Sequence, residues 1–312
     1  MKALRVTKEG SSTEVSVQEV PKPSIQAGEL LVKVRASFVQ PADILNSKGG
    51  FPLTTFPRTI GKDFAGTVVE GSDEWRGKDV YGTSGPTFGF TEDGGQAEYA
   101  VLREGAVANK PSNLSFAQAA AVGTPYTTGM ITLLRARTKS SDVVMVLGAT
   151  GSVGASVVQI AKSLGCQTIT VGRHGTDVNS AEDPQLKKAK DLTGGKGPDV
   201  VVDTVGDFNL TKAAFDVMAI QGRMSFITAP RQGSTELPVD ILSLYRRQIE
   251  LVGCNSTGSS QEELAKMLSD LTPDFVSGKL VAPEEKSMSL MGIDQAADAY
   301  TGKIKRAVIV FD

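Results

Sequence analysis

No lysine/arginine block and no basic stripe with interleaved aromatics occurs anywhere in the 312 residues, and the formal net charge is only −2. That pattern excludes a nucleic-acid surface of the usual kind. No apolar run approaches the roughly 20 residues of a membrane span. The opening, Met1-Lys-Ala-Leu-Arg-Val6, turns polar at once and has no signal-peptide core. A cytoplasmic protein with no membrane partner is therefore expected. The two cysteines, Cys166 and Cys254, lie far apart, each in or beside an apolar strand-like run. They read as buried free thiols in a reducing compartment. Histidine occurs once, at His174. Internal repeats and low-complexity segments are missing too.

What is present is centred on Val143-Val-Met-Val-Leu-Gly-Ala-Thr-Gly-Ser-Val-Gly154. The unbroken apolar run from Val143 to Leu147 suits a strand buried on both faces of a parallel sheet. A turn follows with glycine at 148, 151 and 154. Val153, Val157, Ile160 and Leu164 then recur at helical spacing, and Gly165 closes the helix. Strand, glycine turn and helix together present free N–H groups and a helix dipole to a diphosphate. Gly151 lets the backbone approach the phosphates, and Gly154 lets the helix lie close to the strand. The alternative is a merely tight strand-to-helix turn.

The length fits two domains better than one core. Residues 1–123 are β-rich, with strands expected at 4–6, 14–20, 29–36, 63–70, 78–81 and 95–101 and a short helix after Pro41. Many short strands punctuated by Gly and Pro suggest a small barrel. Ser115 reads as the cap of one helix, and Pro125 to Ala136 as a second. Beyond them strands are expected at 143–148, 166–172, 199–203, 222–227 and 249–253, and helices at 152–164, 184–193, 208–218 and 261–271. Such alternation means an α/β, doubly wound parallel sheet. A short helix at 292–300 and a strand at 307–311 return to the first domain. The expected division is 1–123 with 278–312, and 124–277, with a cleft between them.

These landmarks resemble the medium-chain dehydrogenase/reductase superfamily, and within it the zinc-free quinone oxidoreductase-like branch. The resemblance rests on Gly28-Glu-Leu-Leu-Val-Lys-Val, Gly61-Lys-Asp-Phe-Ala-Gly-Thr-Val, Gly94-Gly-Gln-Ala-Glu-Tyr, Gly148-Ala-Thr-Gly-Ser-Val-Gly, the stretch Leu192 to Gly206 and Gly302-Lys-Ile-Lys-Arg-Ala-Val-Ile-Val. It implies a Rossmann-type sheet beside a discontinuous, GroES-like barrel domain, and a homodimer joined along the sheet edge after the sixth strand.

A catalytic zinc needs three protein ligands, usually Cys, His or Glu. Where zinc-dependent relatives place the first, a Cys, this chain resembles them with Gln40. Where they have the His of Gly-His-Glu it reads Gly61-Lys62-Asp63. Lysine is no metal ligand, so no metal is expected. The resemblance then implies hydride transfer to a quinone or to the β-carbon of an α,β-unsaturated carbonyl, with protein donors stabilising the oxygen that gains charge. Gln40 keeps an amide in place of an asparagine common in the branch. Lys62 is either an oxyanion donor or a solvated loop lysine. Asp43 anchors the loop or caps its helix. Phe51 stands where some relatives carry a tyrosine. Tyr126 either lines the cleft or packs in the core.

NAD-selecting sheets place Asp or Glu at the end of the second strand. Here Gly172, Arg173 and His174 end it, and no carboxylate comes before Asp177. Arg173 is placed to meet a 2′-phosphate, so NADPH is the expected cofactor; otherwise it is an exposed turn residue. The resemblance puts further cofactor contacts at Thr127, at Gly148, Ala149, Thr150, Gly151, Ser152, Val153 and Gly154, at Val205 and Asp207, at Thr228, Ala229 and Arg231, and at Asn255, Ser256 and Thr257. Relatives follow the second strand with a helix of several turns. Here too few residues separate Gly172 from Thr176 for a parallel crossover, which needs about a dozen. The helix is predicted to be missing, the third strand short, absent or rerouted, and the adenosine side more open.

The expected activity is zinc-independent, NADPH-dependent reduction of a quinone or enone. One alternative is an enoyl-CoA (acrylyl-CoA-like) reductase, in which Arg246 and Arg247 of Leu244-Tyr-Arg-Arg-Gln-Ile-Glu-Leu-Val-Gly253 meet a CoA phosphate. Another is an NADPH-binding redox sensor or structural protein with little turnover.

Overall fold

A computed structural model describes residues 1–312. The chain divides into two compact units, Met1–Thr124 with Thr257–Asp312, and Pro125–Ser256. No helix is long and apolar enough to cross a membrane.

In the first unit, strand Glu29–Phe38 is the hub. It pairs antiparallel with Asp63–Glu70, Tyr99–Arg103 and the returning strand Ala307–Val310. Leu30, Val32 and Val34 on one face are fully buried and pack with Phe64, Val68, Val80, Phe88 and Leu102, and Leu31 on the other face is fully buried too, so the strand is covered on both sides there. A separate sheet orders Ser12–Glu19, Lys2–Glu9 and Arg58–Thr59. The second boundary falls after Ser256, whereas the sequence suggests 277. Helix Gln261–Val276 belongs to the first unit because its partners are there. Tyr81 Oη donates to Leu268 O at 2.8 Å, Asn113 Nδ2 to Phe275 O at 2.9 Å, and Gln261 Nε2 to Thr83 O at 3.2 Å.

The second unit is a six-stranded parallel sheet in the order Val178–Asn179, Gln167–Gly172, Val143–Leu147, Val200–Asp203, Arg223–Phe226, Glu250–Gly253. Counted along the chain this is 3-2-1-4-5-6, the doubly wound order whose ligands sit beyond the carboxyl ends of the strands. Met145, Leu147, Ile169, Val171, Val201 and Met224 form its interior.

Three local expectations need correction. Residues 116–135 form one helix, not two, with Pro125 inside it. The missing proline N–H is tolerated because the turn is anchored elsewhere: the preceding amide, Thr124 N, donates to Asp63 Oδ1 at 2.9 Å. The segment 184–193 holds only the short helix Lys187–Asp191. Helix Ile241–Arg247, capped by Asp240 through Leu242 N, has no counterpart in the sequence reading. Between Gly172 and Val178 no helix forms. The third strand pairs with the second at two positions only, Val171 with Val178 and Gly172 with Asn179, which a short connection can reach.

Candidate functional site

The second unit gathers the predicted cofactor residues at the carboxyl ends of its strands. Helix Ser152–Ser163 starts after Gly151, and a helix leaves its first amides without intrahelical partners. The turn is tight: a Cβ on Gly154 would lie 2.2 Å from Gly148 O, and one on Gly148, at φ +77°, 2.7 Å from Thr204 Oγ1 and Val205 Cγ2. A Cβ on Gly172 would meet Thr176 Cγ2 at 3.0 Å and Thr150 Cγ2 at 3.9 Å, and one on Gly206 would meet Ala229 C at 2.8 Å and Thr228 Cγ2 at 3.1 Å. Gly148, Thr150, Gly172, Val205, Thr228 and Ala229 therefore rim one glycine-lined cradle, which fits a dinucleotide diphosphate.

Other predicted residues are engaged differently. Asp207 caps helix Phe208–Val217 by accepting from Asn209 N at 2.9 Å. Thr127 is fully buried on helix Phe116–Arg135. Arg231 is exposed; Asn255 and Ser256 close the second unit, and Thr257 opens the returning segment of the first. The loop after the fourth strand is shaped by Asp203, which the sequence reading passed over. Its Oδ1 accepts from Val205 N at 2.8 Å and Gly206 N at 3.0 Å, and its Oδ2 from Thr211 Oγ1 at 2.6 Å.

After the second strand of the parallel sheet Arg173 and His174 are exposed, and the Arg173 guanidinium forms no ion pair with the chain. Asp177 is the first carboxylate after the strand. It folds back on the strand edge, where Oδ2 accepts from Thr170 N at 2.8 Å and Thr170 Oγ1 at 2.7 Å. These bonds hold its carboxyl below the usual range even against the desolvation that opposes them. Arg247 is likewise taken: it donates to Met218 O at 2.6 Å and Phe215 O at 3.0 Å and stacks on Phe215. The CoA-phosphate role weighed for it is overturned.

Tyr126 is buried, and burial pushes its phenol well above its ordinary value while a bond with Gln159 acts the other way. It packs in the interior of the second unit.

The first unit holds a buried polar cluster built from three segments. Gln40 precedes helix Pro41–Ser47; its amide N donates to Asp43 Oδ2 at 2.8 Å, so Asp43 caps its own helix. Gln40 Nε2 donates to Asp63 Oδ2 at 2.6 Å, and Asp63 Oδ1 accepts from Thr124 Oγ1 at 2.7 Å. The solvated-loop reading of Lys62 is corrected here: the residue is only 4% exposed. Its ammonium lies 5.8 Å from the centroid of Phe90 and makes no ion pair or hydrogen bond. Phe51 stacks edge-on against that same ring at 5.3 Å. The loop carrying Lys62 is held by Gln96, which packs so closely that a Cβ on Gly61 would lie 2.4 Å from Gln96 Cγ, and Gln96 Oε1 accepts from Tyr300 Oη at 2.6 Å.

Burial pushes the Asp43 carboxyl up to about 7; the charge of Lys62 and the Gln40 amide oppose the rise, and Asp63 adds to it. Asp63 is raised as well, chiefly by burial, against the bonds from Thr83, Thr124 and Gln40. Burial, then the charge of Asp43, raises Tyr300. A zinc ion does not fit this donor set: Gln40 offers a neutral amide where a thiolate would be needed, the Lys62 ammonium cannot ligate, and no group of three or more His, Cys, Asp or Glu is arranged to hold a metal.

Residues 26–112 match the family described as alcohol dehydrogenase GroES-like domain, and residues 152–272 the family described as zinc-binding dehydrogenase. A zinc-type alcohol dehydrogenase-like protein of Schizosaccharomyces pombe is 44% identical over 96% of this chain and 93% of its own length. A quinone oxidoreductase of Lama guanicoe is 29% identical over 87% and 84%. Among solved structures, an oxidoreductase from Salmonella enterica in complex with NADP superposes with a TM-score of 0.74 at 23% identity, covering 100% of both chains.

Proposed function

The chain belongs to the medium-chain dehydrogenase/reductase superfamily and is an oxidoreductase of that family, and from that premise we propose that it is a zinc-independent reductase that uses NADPH to reduce a quinone or an α,β-unsaturated carbonyl. The observation that carries the reading is Lys62: a residue only 4% exposed, its ammonium without an ion pair, at the position where zinc-dependent relatives carry a metal ligand.

Bound NADPH supplies the hydride. The glycine turn from Gly148 to Gly154 holds the diphosphate, Val205, Thr228 and Ala229 line the neighbouring strand ends, and Arg173 meets the 2′-phosphate. With Asp177 committed to Thr170, no carboxylate is left there to favour NADH. When hydride reaches the β-carbon of an enone, the π pair moves onto the carbonyl oxygen, which then takes up one proton; a quinone gains charge on oxygen in the same way. Lys62 stabilises that oxygen, and Gln40 is fixed beside it by Asp63. A metal has no part in this chemistry. The zinc-type label of the Schizosaccharomyces relative belongs to that protein. The chain works as a homodimer joined along strand Glu250–Gly253, an edge strand of its sheet with Leu251 exposed.

The test is NADPH oxidation by purified protein with naphthoquinone, phenanthrenequinone, a simple enone and a crotonyl thioester, run beside NADH. Turnover of a quinone or enone with a preference for NADPH is expected, with kcat lowered about 10²-fold in Lys62→Met. Turnover of the thioester alone would shift the assignment to acyl-CoA reduction. Binding of NADPH without turnover of any acceptor would make it a sensor.

A further inference from the structure

The buried cluster around Lys62 leaves several polar groups unspent, among them Gln96 Nε2, and two of them are of opposite charge. One is the Lys62 ammonium itself. The other is Asp43 Oδ1, which is buried and has no hydrogen-bond partner of good geometry, although the Lys62 backbone amide is close enough to favour its charge. The second carboxylate nearby, Asp63, has no such capacity left: Oδ2 is bonded to Gln40 and Oδ1 to Thr124. The loop backbone is tied at Gly61. Its O accepts from Gly95 N at 2.8 Å, and the Gln96 side chain fills the space that a Cβ on Gly61 would take. Only the lysine side chain, with its flexible four-carbon stem, is free to change place.

We propose that Asp43 is a positioning residue for Lys62: charged, it draws the ammonium inward, and neutral, it leaves the ammonium available to the substrate oxygen. This rests on the reading of Lys62 as the oxyanion donor. The groups facing Asp43 are Lys62 and Asp63 from the loop and strand around residue 62 and the Tyr300 phenol from the 3-10 helix Ile293–Thr301. Of these, Tyr300 stays neutral, since burial raises it and its hydroxyl is donated to Gln96. Asp63 is held by its three bonds. Asp43, with its carboxyl near 7, is the group that changes charge in the working range. An inward lysine is a poorer partner for the reacting oxygen, so the rate falls as pH rises through that value.

The experiment uses the full-length protein labelled with 13C-lysine and, in parallel, steady-state NADPH oxidation with naphthoquinone between pH 5.5 and 8.5. The Lys62 Cε signal is identified by its loss in Lys62→Met. Expected are a Lys62 signal that titrates near pH 7, a kcat that falls about tenfold or more across the same midpoint, and the loss of both transitions in Asp43→Asn. A Lys62 signal that does not move between pH 6 and 8, or an Asp43→Asn variant that keeps the wild-type transition, overturns the proposal. If Asp43→Asn does not fold, the wild-type titration decides. A Lys62 signal that titrates while no acceptor is reduced upholds the positioning and overturns the reductase reading instead.

Discussion

Asp177 Oδ2 bridges the backbone N–H and the hydroxyl of Thr170, at 2.8 and 2.7 Å, and Thr170 Oγ1 accepts from Asp177 N at 2.9 Å. This reciprocal clasp replaces a crossover helix: it turns the chain back so that Val178 pairs with Val171 without any intervening element. Asp177→Ala should lower the unfolding free energy by about 1–3 kcal/mol, as expected when bonds to a charged group are lost. It should leave NADH binding unchanged within about twofold, a difference below 1 kcal/mol. Denaturant unfolding and NADH fluorescence titration check the two halves. A tenfold loss of NADH affinity would restore Asp177 as a ribose ligand.

Arg173 is the exposed, unpaired cation at the same strand end. Arg173→Ala should weaken NADPH roughly 10- to 100-fold, the worth of charge-assisted hydrogen bonds to a phosphate, and leave NADH unaffected. Titration of both nucleotides against both proteins reads this directly.

Gly154 sits where any Cβ meets the backbone of Gly148 and Ala149 at 2.2–3.0 Å. Main-chain atoms cannot step aside as a side-chain end would. Gly154→Ala should cost about 1–3 kcal/mol of stability through overpacking and should abolish nucleotide protection against thermal unfolding. Gly175→Ala, with nothing within 4 Å of its Cβ but φ +66°, should be felt only as the milder strain of a left-handed backbone.

Asp43 also predicts a pH dependence of stability. Burial pushes its folded-state carboxyl up to about 7, above the ordinary value of 3.8, so the folded protein holds a proton that the unfolded chain has released between those limits. The stabilisation is complete below the unfolded value and is lost as pH rises through the folded one. Between pH 4 and 7.5 the wild type should therefore lose on the order of a few kcal/mol relative to Asp43→Asn. Urea unfolding of both proteins across that range measures the difference; parallel curves would show that Asp43 is ionised throughout.

Much of the molecule was legible from local patterns. The apolar, β-branched stretch Glu29–Phe38, the apolar run Val143–Leu147 and the spacing of Val153, Val157, Ile160 and Leu164 each depend on residues a few positions apart. Stereochemistry of that range is written in the chain itself. The missing crossover helix was legible for the same reason, because a count of residues limits how far a chain can travel.

The chemistry of particular side chains was not. Lys62 looks like a loop lysine in sequence; it is buried, with the Phe90 ring 5.8 Å from its ammonium and the Asp43 carboxyl close enough to feel its charge, both from other segments. Pro125 looks like a helix boundary; it is carried because Asp63, distant in sequence, receives the neighbouring amide. Arg247 looks like an anion ligand until Phe215 and Met218 offer it their carbonyl oxygens. Residue order alone was enough to show most of the strands, the helix after the glycine turn and the glycine turn itself. The tertiary structure alone decided which charges are shielded from water and which polar atoms are spent, because desolvation and hydrogen-bond satisfaction depend on neighbours that only folding brings together.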